Sequence, residues 1–287
     1  MRLLFTLALW LLGTTGCLAN EIDQLHSLSE VTDFLHKYDQ RLPEVFFKPG
    51  TADTVGYGQS RFFKCDLDAN GLTDLVVDGR YLCAMTAADN GTYRLHFLDR
   101  RSSGEQYAQL YRIVYLRKTP LLVVKTARQH YHFLTSQVSR EDRVDSLIFR
   151  FGGFIEYRAT PARLPIARLT FSASGCFGTC PIFELTIQPG RRATYQASQY
   201  NKRRGYFRGV IDTAAYNPLL ATLHYLQLTT LKEAYAVDWT DDQTLKLEVT
   251  FTNGQVKRIE DYGGVGTYGL ANLYAQLFAL RETQTWK

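Results

Sequence analysis

Apolar residues between Ile22 and Leu42 recur at helical spacing, with Ile22, Leu25, Leu28, Val31, Phe34, Leu35, Tyr38 and Leu42 on one face. Ser27 and Glu30 fit a capping box and Pro43 ends the segment, so one helix is predicted there. From Arg61 to Tyr157 the rhythm changes to short runs rich in Val, Ile, Tyr and Phe, such as Leu75-Val76-Val77, Tyr111 to Leu116 and Leu121 to Val124. Turn residues like Ala88-Asp89-Asn90-Gly91 separate them, which predicts a meandering antiparallel sheet.

Thr160-Pro161 to Leu164-Pro165 reads as a proline-bearing joint and sets the domain boundary: one unit over 20–160, a second over 161–287. In the second unit, Ile166 to Phe171, Ile182 to Ile187 and Ala193 to Ala197 read as strands, with a Pro189-Gly190 turn between the last two. Asp212 or Asn217 then caps a helix, with Pro218 at its first position and Leu219, Leu220, Leu223 and Leu226 as its buried face. Leu245, Leu247, Val249 and Phe251 alternate with polar residues up to Asn253-Gly254, a strong hairpin signal. A last helix carries Leu270, Leu273, Tyr274, Leu277 and Phe278. The order strands, helix, hairpin, helix predicts a small α+β domain after a helix-plus-meander domain.

Composition agrees with a strand-rich globular chain: 287 residues, 45% apolar, with 18 Tyr and 17 Phe against 2 Met. The net charge of +5 is small and scattered, which argues against a nucleic-acid partner.

The first 19 residues alter the setting. Arg2, an apolar run from Leu3 to Leu12 and the small-residue stretch Gly13 to Ala19 read as an export signal, removed from the mature chain. Thr15-Gly16-Cys17 resembles the lipobox of bacterial lipoproteins, which implies a lipid on Cys17 and a membrane anchor, although Thr14 stands where an aliphatic residue is usual. Cleavage after Ala19, giving a periplasmic or secreted protein, is the competing reading. Either one leaves Cys65, Cys83, Cys176 and Cys180 in an oxidising compartment. Three connectivities are open, and pairing of sequence neighbours, 65 with 83 and 176 with 180, keeps each bridge within one unit.

Asp66-Leu67-Asp68-Ala69-Asn70-Gly71-Leu72-Thr73-Asp74 runs straight into a strand. Asp66, Asp68, Asn70 and Asp74 offer side-chain oxygens and Leu72 a carbonyl, with Gly71 for the sharp turn, the donor pattern a structural Ca²⁺ requires. Val77 at the twelfth position departs from an EF-hand, and the segment resembles the Asp-rich loops of FG-GAP-type repeats. A solvated Asx-rich turn is the alternative.

Cys176-Phe177-Gly178-Thr179-Cys180 could be a redox centre, a metal half-site or a staple. Redox work asks for a helix N-terminus to stabilise the thiolate, and zinc for a second ligand pair; an alternating strand follows, and His224 is the one histidine in this half. The staple reading is preferred. With Pro181 and the later Asp261-Tyr262-Gly263-Gly264, this segment resembles an uncharacterised bacterial family of unknown function found in exported proteins, over about residues 166–280. The resemblance implies an α+β domain and an envelope setting, and it supplies no activity or catalytic residue.

Other signals are weaker. Gly264-Val265-Gly266-Thr267-Tyr268-Gly269 matches a dinucleotide fingerprint, but the 18 residues after Gly269 are too few for a βαβ unit, so no nucleotide is expected and the glycines read as a tight turn. An adventitious anion at the following helix start stays open. His130 and His132 share one face of a strand without a third ligand in view, and His130 with Asp145 is the background option for a hydrolase. Trp239 sits among Asp238, Asp241 and Asp242, and Arg191-Arg192 and Lys202-Arg203-Arg204 fall in turns. The expectation is a non-enzymatic, lipid-anchored envelope protein with a binding or structural role and an envelope protein or polysaccharide as partner. The alternative is a thiol-disulfide oxidoreductase using Cys176 and Cys180.

Overall fold

The computed structural model describes residues 20–38, 61–79, 81–99, 106–132, 137–161 and 164–287, and among these described residues there are three sheets and three α-helices. The class is α+β, with the sheets mostly antiparallel. The helix expected from Ile22 divides in two, because two caps compete. Asn20 accepts the Ile22 N–H and its own N–H is held by Asp23, which closes a 3-10 turn over Glu21–Gln24. Ser27 and Glu30 then cap α1 (Leu28–His36) in the expected capping box. Leu42 and Pro43 lie outside the described residues.

The meander predicted as one sheet is two. The first holds β1 (Arg61–Cys65), β2 (Asp74–Asp78), β3 (Leu82–Ala87) and β4 (Tyr93–Phe97) in sequence order; the second holds β5 (Gln106–Leu116), β6 (Thr119–His132), β7 (Gln137–Arg150) and β8 (Gly153–Glu156). β2 and β3 are buried along their whole length because the first sheet is covered on both faces. Ile22, Val31, Phe34 and Leu35 pack on Leu75, Val77, Cys83 and Met85, while Leu110, Leu122, Val124 and Leu147 of the second sheet pack on Cys65, Val76, Leu82 and Ala84. Two-sided burial explains why Leu75-Val76-Val77 is a continuous apolar run.

The third sheet has the order β12-β11-β10-β9-β14-β15-β13 and contains β9 (Ile166–Ala173), β10 (Phe183–Ile187), β11 (Arg192–Ala197), β12 (Gly205–Val210), β13 (Ala234–Ala236), β14 (Thr244–Phe251) and β15 (Val256–Tyr262). Its inner face packs on α2 (Thr213–Tyr225) and α3 (Tyr268–Thr283) through Phe171, Leu185, Leu223, Leu273 and Leu277. The Asn253-Gly254 hairpin joins β14 to β15 as expected. Asp212, not Asn217, caps α2 by accepting the Ala215 N–H at 2.7 Å, so Pro218 falls inside the helix rather than at its start. β12 and β13 were not legible: β12 is interrupted by glycine and β13 is three residues long. Among the described residues no helix is long and apolar enough to cross a membrane.

Candidate functional site

The Asp-rich loop between β1 and β2 folds back on itself through its own carboxylates. Asp66 accepts the Gly71 N–H at 2.9 Å and, with Asp68, the Asn70 N–H at 3.2 Å. Asp74, 0% exposed, accepts the N–H groups of Leu67 at 2.7 Å and Ala87 at 2.8 Å. One oxygen each from Asp66, Asp68 and Asp74 lies within 4.8 Å of the others, a separation that a cation bonded at about 2.4 Å to each can span. These hard, acidic donors suit Ca²⁺. Burial foremost, with the charges of Asp68 and Asp66 adding, pushes the Asp74 carboxyl up to about 7 against the pull of its two N–H donors. Burial also raises Asp68.

Asn70 also braces the loop. The Asn70 amide donates to the Ala87 carbonyl at 2.6 Å while its oxygen accepts the Leu72 N–H at 2.8 Å, so that side chain closes an Asx turn and ties the loop to β3. Sequence reading also missed Asp89, in the β3–β4 turn, whose charge acts on Asp68. The turn motif was visible, but its approach to the Asp loop depends on strand pairing.

The cysteines part company. Cys176 and Cys180 form the disulfide, with Cα atoms 5.7 Å apart. The expected Cys65–Cys83 bridge does not exist: both are free and buried. Cys65 lies opposite Asp74 on one side of β2, and Cys83 opposite Val77 on the other. They are therefore two strands apart, roughly 9.5 Å laterally, beyond disulfide reach. They also face different cores. Burial pushes the Cys65 thiol up to about 12 and the Cys83 thiol higher, which keeps both protonated and inert.

The bridged loop holds Phe177 outward, 91% exposed, and the Phe177 N–H donates to the Asp241 carbonyl at 2.8 Å. Pro181 and β10 follow, so the loop has no helix N-terminus behind it. The adjoining Asp238–Asp242 segment brings carboxylates instead, and Trp239 is fixed there by its Nε1–H to Asp242 at 3.2 Å.

The glycine-rich decoy turns out to be a clamp. Asp261, fully buried, accepts the Val265 N–H at 2.8 Å and the Gly266 N–H at 2.9 Å. Glu156 at the end of β8 takes the first N–H groups of α3, from Tyr268 at 2.6 Å and Gly269 at 3.0 Å. The helix start already has its carboxylate, so an adventitious anion would have to displace it. Both glycines are demanded by packing: a Cβ on Gly266 would lie 2.6 Å from Asp261 Oδ2, and one on Gly269 2.0 Å from Leu226 Cδ2. Tyr268 crosses into the core between the first two sheets and donates its hydroxyl to the Leu98 carbonyl at 2.9 Å. Glu156 and Asp261 as partners were invisible, because one contact spans more than 100 residues and the other needs the tight turn to exist.

The remaining expectations scatter. Cys17 lies outside the described residues. His130 and His132 fall in β6, with side chains outside what is described. His130 pairs with Ser139 while Asp145 pairs with Val124, about 20 Å along the strand at ~3.4 Å per residue, so the structure does not bring the two together. Asp145 instead bonds Arg143 at 2.8 Å. His224 lies on α2, where no metal-ligand group gathers among the described residues. Of the basic clusters, Arg191 bonds the Ile211 carbonyl, Arg203 the Trp286 carbonyl, and Lys202 pairs with Glu282.

No curated protein and no solved structure matches the chain. A family model does match residues 167–281, the stretch holding the disulfide loop, the Asp261 clamp and most of α3. That segment is similar to the family described as Domain of unknown function (DUF6438).

Proposed function

We propose that this is an exported envelope protein, held at a membrane by lipid on Cys17, that binds a partner rather than transforming one. The observation that carries the reading is the closed Cys176–Cys180 bridge on an exposed loop, since such a bond persists in an oxidising compartment and is rare in the cytosol. The loop's surroundings favour a staple over a reagent. A reactive thiolate needs a helix N-terminus or a nearby cation; here a strand follows and an acidic segment adjoins, which opposes thiolate formation. The Asp66–Asp74 loop takes a structural Ca²⁺ through Asp66, Asp68 and Asp74, the ion holding the β1–β2 connection in its folded form.

Metabolic labelling with a fatty-acid analogue tests the anchor. Wild type is expected to carry the label and sediment with envelope membranes, and Cys17→Ser to lose both. An unlabelled wild type recovered from the cytosol overturns the reading, and an unlabelled one in the periplasm or medium replaces the anchor with plain secretion.

A further inference from the structure

The outer face of the seven-stranded sheet sorts its charges. On β14 and β15 the outward cations meet carboxylates across the strand pair: Lys246 with Glu260 at 2.9 Å and Arg258 with Glu248 at 2.8 Å. At the β11–β12 edge this stops. Arg192 lies opposite Val210 and Arg208 opposite Thr194, so the two arginines are diagonal neighbours on one face, with Cα atoms roughly 7–8 Å apart. Neither makes an ion pair among the described residues. Like charges at that spacing repel, and the outward acid of the next strand, Glu184, is aligned with Gln196 and Tyr206 rather than with either arginine.

The same edge is a built groove of about 830 Å³, within the range of sites that hold small ligands. One wall is the segment after α3. Lys287 and Arg208 exchange backbone hydrogen bonds of 3.0 and 2.8 Å, which lays this segment along β12 as an added edge. Gly209 permits the approach, since a Cβ there would lie 2.9 Å from the Thr285 carbonyl. Trp286 locks it, buried with its Nε1–H on the Leu280 carbonyl at 3.1 Å. Lys287 also lines the groove, and Tyr206 presents a ring that is 57% exposed, with the Arg208 guanidinium 5.6 Å from its centre.

We infer that this groove binds an acidic saccharide, its ring stacked on Tyr206 and its acid groups between Arg192 and Arg208, with the Thr194 and Thr285 hydroxyls toward the sugar hydroxyls. The charge calls for an anion, the ring for a flat partner with an apolar face, and the threonines for a partner rich in hydroxyls. The inference rests on the binding role proposed above and names the ligand class for it.

Titration calorimetry of the full chain at low salt, with tetragalacturonate as probe, tests it. Wild type is expected to bind, the methyl-esterified tetramer and inorganic phosphate to bind at least about tenfold more weakly, and both Tyr206→Ala and the double variant Arg192→Glu/Arg208→Glu to lose at least about tenfold in affinity. These side chains are exposed, so unchanged melting curves show that the variants fold. Absence of binding by wild type, affinity unchanged in either variant, or phosphate binding as tightly as the tetramer overturns the inference. Lipid labelling and sedimentation of the variants stay at wild-type levels, so failure in the groove is distinct from failure of the anchored-protein reading.

Discussion

Replacing Tyr268 by alanine is expected to lower stability by about 3–5 kcal/mol, the usual cost of deleting a large buried aromatic side chain. The ring begins α3, which belongs to the C-terminal unit, yet it sits in the core between the two N-terminal sheets and bonds the Leu98 carbonyl. Its loss empties a space that neither unit can fill alone. The Leu98 carbonyl also loses its hydroxyl donor, for which Tyr268→Phe isolates a cost of about 1–2 kcal/mol. Trp239 and Trp286 both lie in the C-terminal unit, and the third tryptophan, Trp10, falls in the first 19 residues, which the proposed export removes. Urea unfolding followed by tryptophan fluorescence and by circular dichroism should therefore give coincident transitions in wild type and separated ones in Tyr268→Ala. Coincident transitions with a loss below about 1 kcal/mol would mean that the units are not coupled through this residue.

The second large effect belongs to Asp74. Its carboxyl is ordinary in the unfolded chain, near 3.8, and is raised by burial to about 7 in the folded one. Between these values the folded state holds a proton that the unfolded state has released, so raising the pH through this window costs stability, roughly 4 kcal/mol in all if the ion is absent. A Ca²⁺ bound to Asp66, Asp68 and Asp74 reverses the preference, because it favours the ionised carboxylate. Thermal melts in EGTA should thus fall from pH 5 to pH 8, whereas saturating Ca²⁺ should restore the melting temperature at pH 8. A hundredfold excess over Kd adds about 2.7 kcal/mol, or roughly 5–10 °C for a unit of this size. Asp68→Asn should abolish the calcium effect while preserving the fold. Equal melting temperatures at pH 8 in EGTA and in millimolar Ca²⁺ would make the loop a plain turn.

Local signals carried much of this structure. The Ser27–Glu30 box, the Asn253-Gly254 hairpin and the stripe on α3 each depend on residues within a few positions, and each forms as read. Reading failed where meaning depends on pairing between distant segments. A cysteine pair that looks convenient in sequence is split by β2, and a glycine pattern that imitates a phosphate loop is explained by Asp261, Glu156 and Leu226. The Asp loop lies between these cases. Spacing alone brought out the Asp66, Asp68 and Asp74 group, but the bond from the Asn70 amide to the Ala87 carbonyl follows from β3 lying beside the loop, which no local pattern announces. The Arg192–Arg208 pair is likewise a product of register, since the β12 sequence does not declare a strand.

Alkylation of native material with mass readout tests most directly the proposal that sulfur here fastens the fold and performs no chemistry. Native protein treated with iodoacetamide should gain no adduct, two after denaturation without reductant, at Cys65 and Cys83, and two more at Cys176 and Cys180 only after reduction. Rapid alkylation of Cys176 and Cys180 in the native protein, together with insulin reduction that disappears in Cys176→Ser, would contradict it.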